Sequence, residues 1–463
     1  DNVFLVVNGQ HVLVDFTDKG FESYLFSIAR ITTGDIKGRV IVKGIQALGL
    51  EKGRLVSDAA FLRADHQQHV LWVNPSLESN ELLRISTDGI AVVPNGTNDQ
   101  SIFLLKAGMM KPLTFVRLTS NQLKDALTRI EKLVLAHLAC AETDKWFVLM
   151  WAMGFLLKDF VKTKPLMRFE GISGGGKSTA VELITALIYG ADQKAIATPA
   201  AQYSEGTSNP VLCLDNIERR NLGREEYDFL LTSSTGISKL KRRQGTDTEV
   251  VTETPRCLVL TTGIENLFGQ EIINRSLIVD FDRTTFGSDL TESVFHQIVA
   301  ERSFLISALF HLQVRILDRI SAGDWDQLQG MLKKDFPHHT KERANGYLSL
   351  MLLLLDEWFV ITGRSHDVHD VARKWVNRQD RASKTTGIES NPIIQYLDLL
   401  VSKRMQMHRS RDEEEKQPVW DYPVAMPTII DHDKDDNRVP TKIRFQCFAS
   451  ELHLTFMQMM RGM

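Results

Sequence analysis

The chain has 463 residues, 43% hydrophobic and 24% charged, with a net charge of −3. This is the composition of a soluble globular protein of about three domains, and it excludes a uniformly basic nucleic-acid coat. Any contact with nucleic acid must come from a local basic patch. The four cysteines, Cys140, Cys213, Cys257 and Cys447, form no CxxC pair and read as small hydrophobes of a reducing, cytoplasmic setting. The longest apolar runs, 146–157 and 347–355, are too short to cross a bilayer and are expected as buried helices, with no membrane contact. The chain opens on Asp1 rather than Met, so an upstream domain is expected to precede it.

The first hundred residues predict short strands. Residues 4–7 and 12–14 flank Asn8-Gly9 as a hairpin, and further runs lie at 70–73, 82–85, 90–93 and 102–105. Asn74-Pro75, Asp88-Gly89 and Asn95-Gly96 break them, giving a β-rich region with some helix and no recognisable chemistry. From 121 to about 161 the spacing turns helical, with Leu123, Leu127, Ile130 and Leu133 on one face.

The segment 166–170 reads as a strand entering Gly171-Ile172-Ser173-Gly174-Gly175-Gly176-Lys177-Ser178-Thr179, and 178–189 as a helix stopping at Gly190. This is the pattern GxxxxGK[ST], a P-loop. Glycines let the backbone wrap a triphosphate with its N–H groups inward, and the helix N-terminus adds a favourable field. Lys177 is expected on the β- and γ-phosphates, and the Ser178 hydroxyl on Mg²⁺, so ATP and Mg²⁺ are the implied ligands. Downstream, Val211-Leu212-Cys213-Leu214-Asp215 is an apolar strand ending in the acid that would complete the metal's shell. Asn216 follows, an amide that can orient a water but cannot take its proton. Glu218 either supplies that base or is a solvated helix residue.

Residues 257–261 form a strand ending in hydroxyls. Thr262, preferred to Thr261, is the candidate sensor of the γ-phosphate, the alternative being a turn cap. Arg275, just before the apolar run 276–280, is either an arginine finger reaching another subunit or half of an internal salt bridge. Strands alternating with helices imply a parallel α/β sheet. Between two of these strands, 238–251 reads as a β-hairpin about Gln244-Gly245. Its Lys239, Lys241, Arg242 and Arg243 are placed to contact nucleic-acid phosphates, unless they are simply a solvated face.

Together, the segment 171–179, the run 211–216 with Glu218, the basic 239–243 hairpin, Thr261-Thr262 and Asn274-Arg275-Ser276 resemble AAA+-like helicases of phage, plasmid and mobile-element replication, near the superfamily 3 and MCM-like groups. The resemblance covers some 120 to 200 residues. It implies a homo-oligomeric ring, six-membered in the family, with ATP at subunit interfaces and basic hairpins lining a channel for single-stranded DNA. Asn216 departs from the acidic pair of most such enzymes. The expected organisation is a β-rich region (1–115), a helical collar (116–164), a P-loop ATPase core (165–283), a helical lid-like region (284–375) and a helical or winged-helix-like module (376–463), with 409–417 an exposed linker and 448–459 a helix.

Other signals are discounted. His366 and His369 share a helical face without further metal ligands. Asp431-His432-Asp433-Lys434-Asp435 starts like a calcium loop, yet Asp436 and Lys442 occupy its glycine and glutamate positions. The His338-His339 pair suggests no partner. The sequence thus favours an ATP-driven ring helicase or translocase over an ATPase that remodels DNA or protein without unwinding, such as an initiator, loader or defence ATPase. A small-molecule kinase comes last, because no acceptor-substrate motif is present.

Overall fold

The structure is a computed structural model that describes residues 3–7, 10–15, 18–53, 57–59, 61–77, 80–195, 198–217, 222–242, 250–264, 270–286, 292–389, 427–432 and 440–445. Residues 1–383 form one compact unit and 384–463 a second.

The first unit opens with β1 (Phe4–Val7) and β2 (Gln10–Leu13), antiparallel with Val7 opposite Gln10, as the Asn8-Gly9 signal predicts. Two helices follow, α1 (Lys19–Ala29), capped by the Asp18 carboxylate, and α2 (Ile36–Lys52). They share a small core of Val14, Phe21, Leu25 and Val42. After β3 (Ser57–Ala59) comes an antiparallel meander of β4 (Leu62–Asp65), β5 (Val70–Val73), β6 (Glu81–Ser86) and β7 (Gly89–Pro94). β8 (Ile102–Leu104) pairs in parallel with β3. The asparagines that read as strand breakers are structural. Asn95 exchanges two 2.9 Å hydrogen bonds with the backbone of Leu104, and Asn74 gives its amide to the same carbonyl. Buried amides thereby replace ladder bonds that β8 lacks.

Helix α3 (Ser120–Leu133) starts at a capping box between Thr119 and Gln122, a device worth roughly 1 kcal/mol. α4 (Glu142–Met153) is buried along most of its length, so apolar residues occur around its whole circumference.

The α/β core comprises β9 (Leu166–Glu170), α5 (Lys177–Tyr189), β10 (Lys194–Ala195), α6 (Pro199–Ser208), β11 (Val211–Leu214), α7 (Arg224–Thr235), β12 (Lys239–Arg242), β13 (Val250–Glu253), β14 (Leu258–Thr262), α8 (Gln270–Arg275) and β15 (Ser276–Asp280). The sheet is parallel, in the order β10-β11-β14-β9-β15. Alternate residues serve opposite faces. Met167, Phe169, Cys213, Leu260 and Val279 join the main core with α5, while Leu166, Leu212, Leu214 and Val259 pack with Tyr203, Phe229 and Ile272 from α6, α7 and α8. Burial on both faces explains why these strands read as continuous apolar runs.

Helices α9 (Arg283–Phe286), α10 (Glu292–Ser321), α11 (Asp324–Asp335), α12 (Asn345–Thr362) and α13 (Val368–Glu389) follow. Residues from the meander, α3, α4, α5, α10 and α12 belong to a single apolar cluster, so the expected collar, core and lid-like segments share one interior. Buried Arg302 on α10 reinforces it, donating to the carbonyls of Leu187 and Ile188 at the end of α5 and to those of Lys111 and Pro112. On α13, Gln379 pairs with both main-chain groups of Ile278 in β15, each at 2.8 Å. Among the described residues, the one segment apolar and long enough by composition to span a membrane, Glu342–Thr362, is 72% buried within the chain.

In the second unit, β16 (Pro427–His432) and β17 (Pro440–Phe445) form an antiparallel pair. The expected linker at 409–417, the expected helix at 448–459, and Cys447 lie outside the described residues.

Candidate nucleotide site

The P-loop sits between the end of β9 and the start of α5. Its first glycine, Gly171, has φ +134°, and a Cβ there would lie 2.1 Å from the Phe281 carbonyl oxygen. Gly175 is barred from a side chain by the same oxygen at 2.7 Å. Gly174 (φ +75°) and Gly176 (φ +95°) adopt the left-handed conformation that turns the loop into the helix. Ile172, Ser173, Gly174 and Ser178 are exposed, whereas Lys177 is 9% exposed. No side chain caps the N-terminus of α5, leaving its first turn to an external anion. The Lys177 ammonium donates to the carbonyls of Gly171 and Ile172, both at 2.7 Å, and is thereby held against the loop.

Strand order brings the acid and the hydroxyl together. β11 and β14 are in parallel register, Leu214 opposite Thr261, so Asp215 and Thr262 emerge side by side at the carboxyl ends of the strands. That is where ligands bind in open α/β sheets. The Thr262 hydroxyl donates to Asp215 Oδ1 at 2.6 Å and accepts from the Asn216 backbone N–H at 2.9 Å. Ser178 Oγ stands 3.3 and 3.5 Å from the two Asp215 oxygens. A hydroxyl and a carboxylate facing each other at that separation are the hard oxygen donors Mg²⁺ takes, and they fit a Mg–triphosphate. Asn216 is exposed and has φ +58°, a conformation asparagine tolerates better than most residues. Of the two threonines, Thr261 is buried and its hydroxyl has no hydrogen-bond partner, while Thr262 carries the bonds.

Arg275 lies elsewhere. At the end of α8 it donates to Glu271 Oε1 at 2.6 Å and to Ser234 Oγ at 3.1 Å, so the internal salt bridge is formed and no P-loop residue is among these partners. It lines a cavity of about 500 Å³ with Tyr203, Asp228, Lys239 and Glu271. Lys239 places its ammonium 4.4 Å from the centre of the Tyr203 ring, a cation–π contact. β12 and β13 pair antiparallel, from Lys239 opposite Glu253 to Arg242 opposite Val250. Lys241 and Arg242 are in β12. Arg243 and Glu218 lie outside the described residues.

The sequence reading passed over two residues. Arg168, in the middle of β9, is 1% exposed and donates from Nη1 to the Ile217 carbonyl at 3.0 Å. Gly263, directly after Thr262, faces that guanidinium. A charged residue at an interior position of a core strand was the available signal.

Among the described residues no cluster of three metal-ligating side chains occurs, and His366 and His369 instead face Asp356 and Asp335. The His339 ring bonds Asn345 at 2.7 Å. Cys140, Cys213 and Cys257 are buried free thiols, the Cys257 pKa being pushed up to about 12 by burial.

No protein-family model and no curated protein matches this sequence. Among solved structures, the SCCmec type IV Cch active helicase is similar at a TM-score of 0.50 and 13% identity, over 98% of this chain and 82% of that one. The A form apo structure of the NrS-1 C-terminal region gives a TM-score of 0.37 at 11% identity, over 82% of this chain and 88% of that one. The likeness to Cch is one of fold, a parallel α/β P-loop core with an antiparallel β region before it and helices after it.

Proposed function

We propose that the chain is an ATP hydrolase working as a ring-forming DNA helicase or translocase. The observation that carries the reading is the line Ser178–Asp215–Thr262, assembled from the first turn of α5 and the ends of β11 and β14, with the P-loop lysine Lys177 next to Ser178. Bound Mg²⁺ would neutralise phosphate charge as the terminal phosphoryl group leaves. Ser178 and Asp215 hold that ion. Thr262 fixes the carboxylate, and Lys177 exchanges two loop carbonyls for phosphate oxygens. Asn216 orients the attacking water through its amide, and Glu218 accepts the proton. Arg275 neutralises charge at the site of a neighbouring copy.

The DNA half of the proposal rests on the basic run Lys239, Lys241, Arg242 and Arg243, the first three of them on β12, and agrees with the helicase activity named for the Cch structure. The amide at Asn216 favours the second reading, a remodelling ATPase without unwinding. ATP hydrolysis with and without single-stranded DNA decides between them. DNA stimulation that is abolished by a Lys241/Arg242/Arg243→Ala triple variant supports the motor. Vigorous hydrolysis indifferent to DNA and RNA removes the helicase reading and leaves the remodelling one.

A further inference from the structure

We propose that Arg168 is a positioning residue for ATP hydrolysis, its buried guanidinium locking the turns after β11 and β14 to the phosphate-loop strand. The inference rests on the ATPase reading above.

Arg168 is the third residue of β9, three residues before the loop begins at Gly171. Met167 and Phe169 on either side of it belong to the main core with α5, so Arg168 projects from the opposite face of the sheet. A guanidinium at 1% exposure is tolerated only where its charge is paired. Here Nη1 binds the Ile217 carbonyl at 3.0 Å, and Nε lies 3.6 Å from Glu170 Oε1. Ile217 stands two residues after Asp215, and its own N–H donates to the Thr262 carbonyl at 2.8 Å. The arginine therefore ties the turn bearing Asp215 and Asn216 to the strand that leads into Lys177.

Gly263 supplies independent support. Its φ is not in the left-handed region, so backbone freedom does not explain a glycine there. Space does. A Cβ at 263 would lie 2.1 Å from Arg168 Nη2, 2.7 Å from Cζ and 2.7 Å from the Ile217 oxygen. The Gly263 N–H also donates to the Phe169 carbonyl at 3.1 Å. The glycine after Thr262 thus leaves room for the guanidinium, and both turns close on it. Arg168 itself touches none of Ser178, Asp215 or Thr262 through these bonds. It acts through the turn that aims them.

The test uses the full chain and reads ATP turnover separately from binding of a fluorescent ATP analogue. Arg168→Met should lower kcat by about 10- to 100-fold, the scale of an ångström-sized misplacement. Analogue Kd should change less than about 3-fold, since Lys177 and the P-loop keep their places. Arg168→Lys, which keeps the charge without the fork, should fall between. Gly263→Ala should lower kcat about 10-fold with Arg168 present, and much less when residue 168 is already Met. If Arg168→Met does not fold, Arg168→Lys and Gly263→Ala carry the test alone. A kcat within twofold of wild type in the folded variants, or a loss confined to Kd, overturns the proposal. A wild-type chain that binds the analogue and never hydrolyses ATP overturns the ATPase reading instead, so the two failures are distinct.

Discussion

The two ends of the candidate machinery are built on opposite principles. Around Ser178, Asp215 and Thr262, each polar group is aimed by another from the same chain, and the set is fixed by strand register. Around Arg275, charges of both signs, Glu271, Asp228 and Lys239 among them, line a cavity of about 500 Å³, and the arginine is held by Glu271 one helical turn away and by Ser234 on α7. The contrast teaches that the acid, hydroxyl and lysine of a P-loop site can be prepared within one chain while Arg275, the residue proposed to finish it, is engaged with Glu271 and Ser234.

The largest expected effect would break or sharpen that division directly. Lys177→Ala and Arg275→Ala should each reduce ATP turnover on the order of a thousandfold. Mixing the two inactive proteins should restore roughly a quarter of wild-type turnover, the share of interfaces in a random mixture that pair an intact P-loop with an intact arginine. Absence of recovery would place both residues in one subunit's site, or leave Arg275 a structural residue.

A smaller effect probes the self-contained end. Thr262→Val removes the hydroxyl that orients Asp215 and should lower kcat by about 10-fold, with Thr262→Ser near wild type. Equal losses in both would assign the threonine a packing role.

The smallest effect concerns the link between the ends. Lys341 is buried, donates to the Ile273 carbonyl on α8, and feels Glu170 at the end of β9 and Asp380 on α13. Burial pushes its pKa down to about 7, with the two acids countering in part. From about pH 7 up to the ordinary lysine range near 10.4, the unfolded chain therefore binds a proton that the folded chain does not. Stability from this group rises with pH across that window and is flat below it. Thermal unfolding between pH 7 and 9 should show the rise in wild type and lose it in Lys341→Met. An unchanged profile in the variant would show that the lysine is charged when folded.

Much of this architecture was legible in the sequence. The P-loop strand, its helix ending at Gly190 and the acid-tipped strand follow from apolar runs punctuated by glycine, because a doubly covered parallel sheet leaves that trace. Two hydroxyls at the end of the 257–261 strand were legible too, although the pairing of Thr262 with Asp215 needed the strand order. Other parts were hidden. Helix α2 carries Gly38, Gly44 and Gly49, and leaves Ile36, Val40, Leu48 and Leu50 exposed, so no single apolar face announces it. Asn74 and Asn95 passed for loop residues because a buried amide and a turn amide look alike in sequence. The tie made by Arg168 was hidden because it runs to the Ile217 carbonyl, and carbonyls leave no trace in a sequence.

The Gln379 clamp on Ile278 bears on quaternary architecture. A parallel sheet with a bare margin invites another chain to add a strand, and here the outer margin at β15 is occupied at that residue by a side-chain amide imitating a peptide group. Addition of a strand from another chain is thereby blocked at Ile278, and any contact made along this margin has to use other groups.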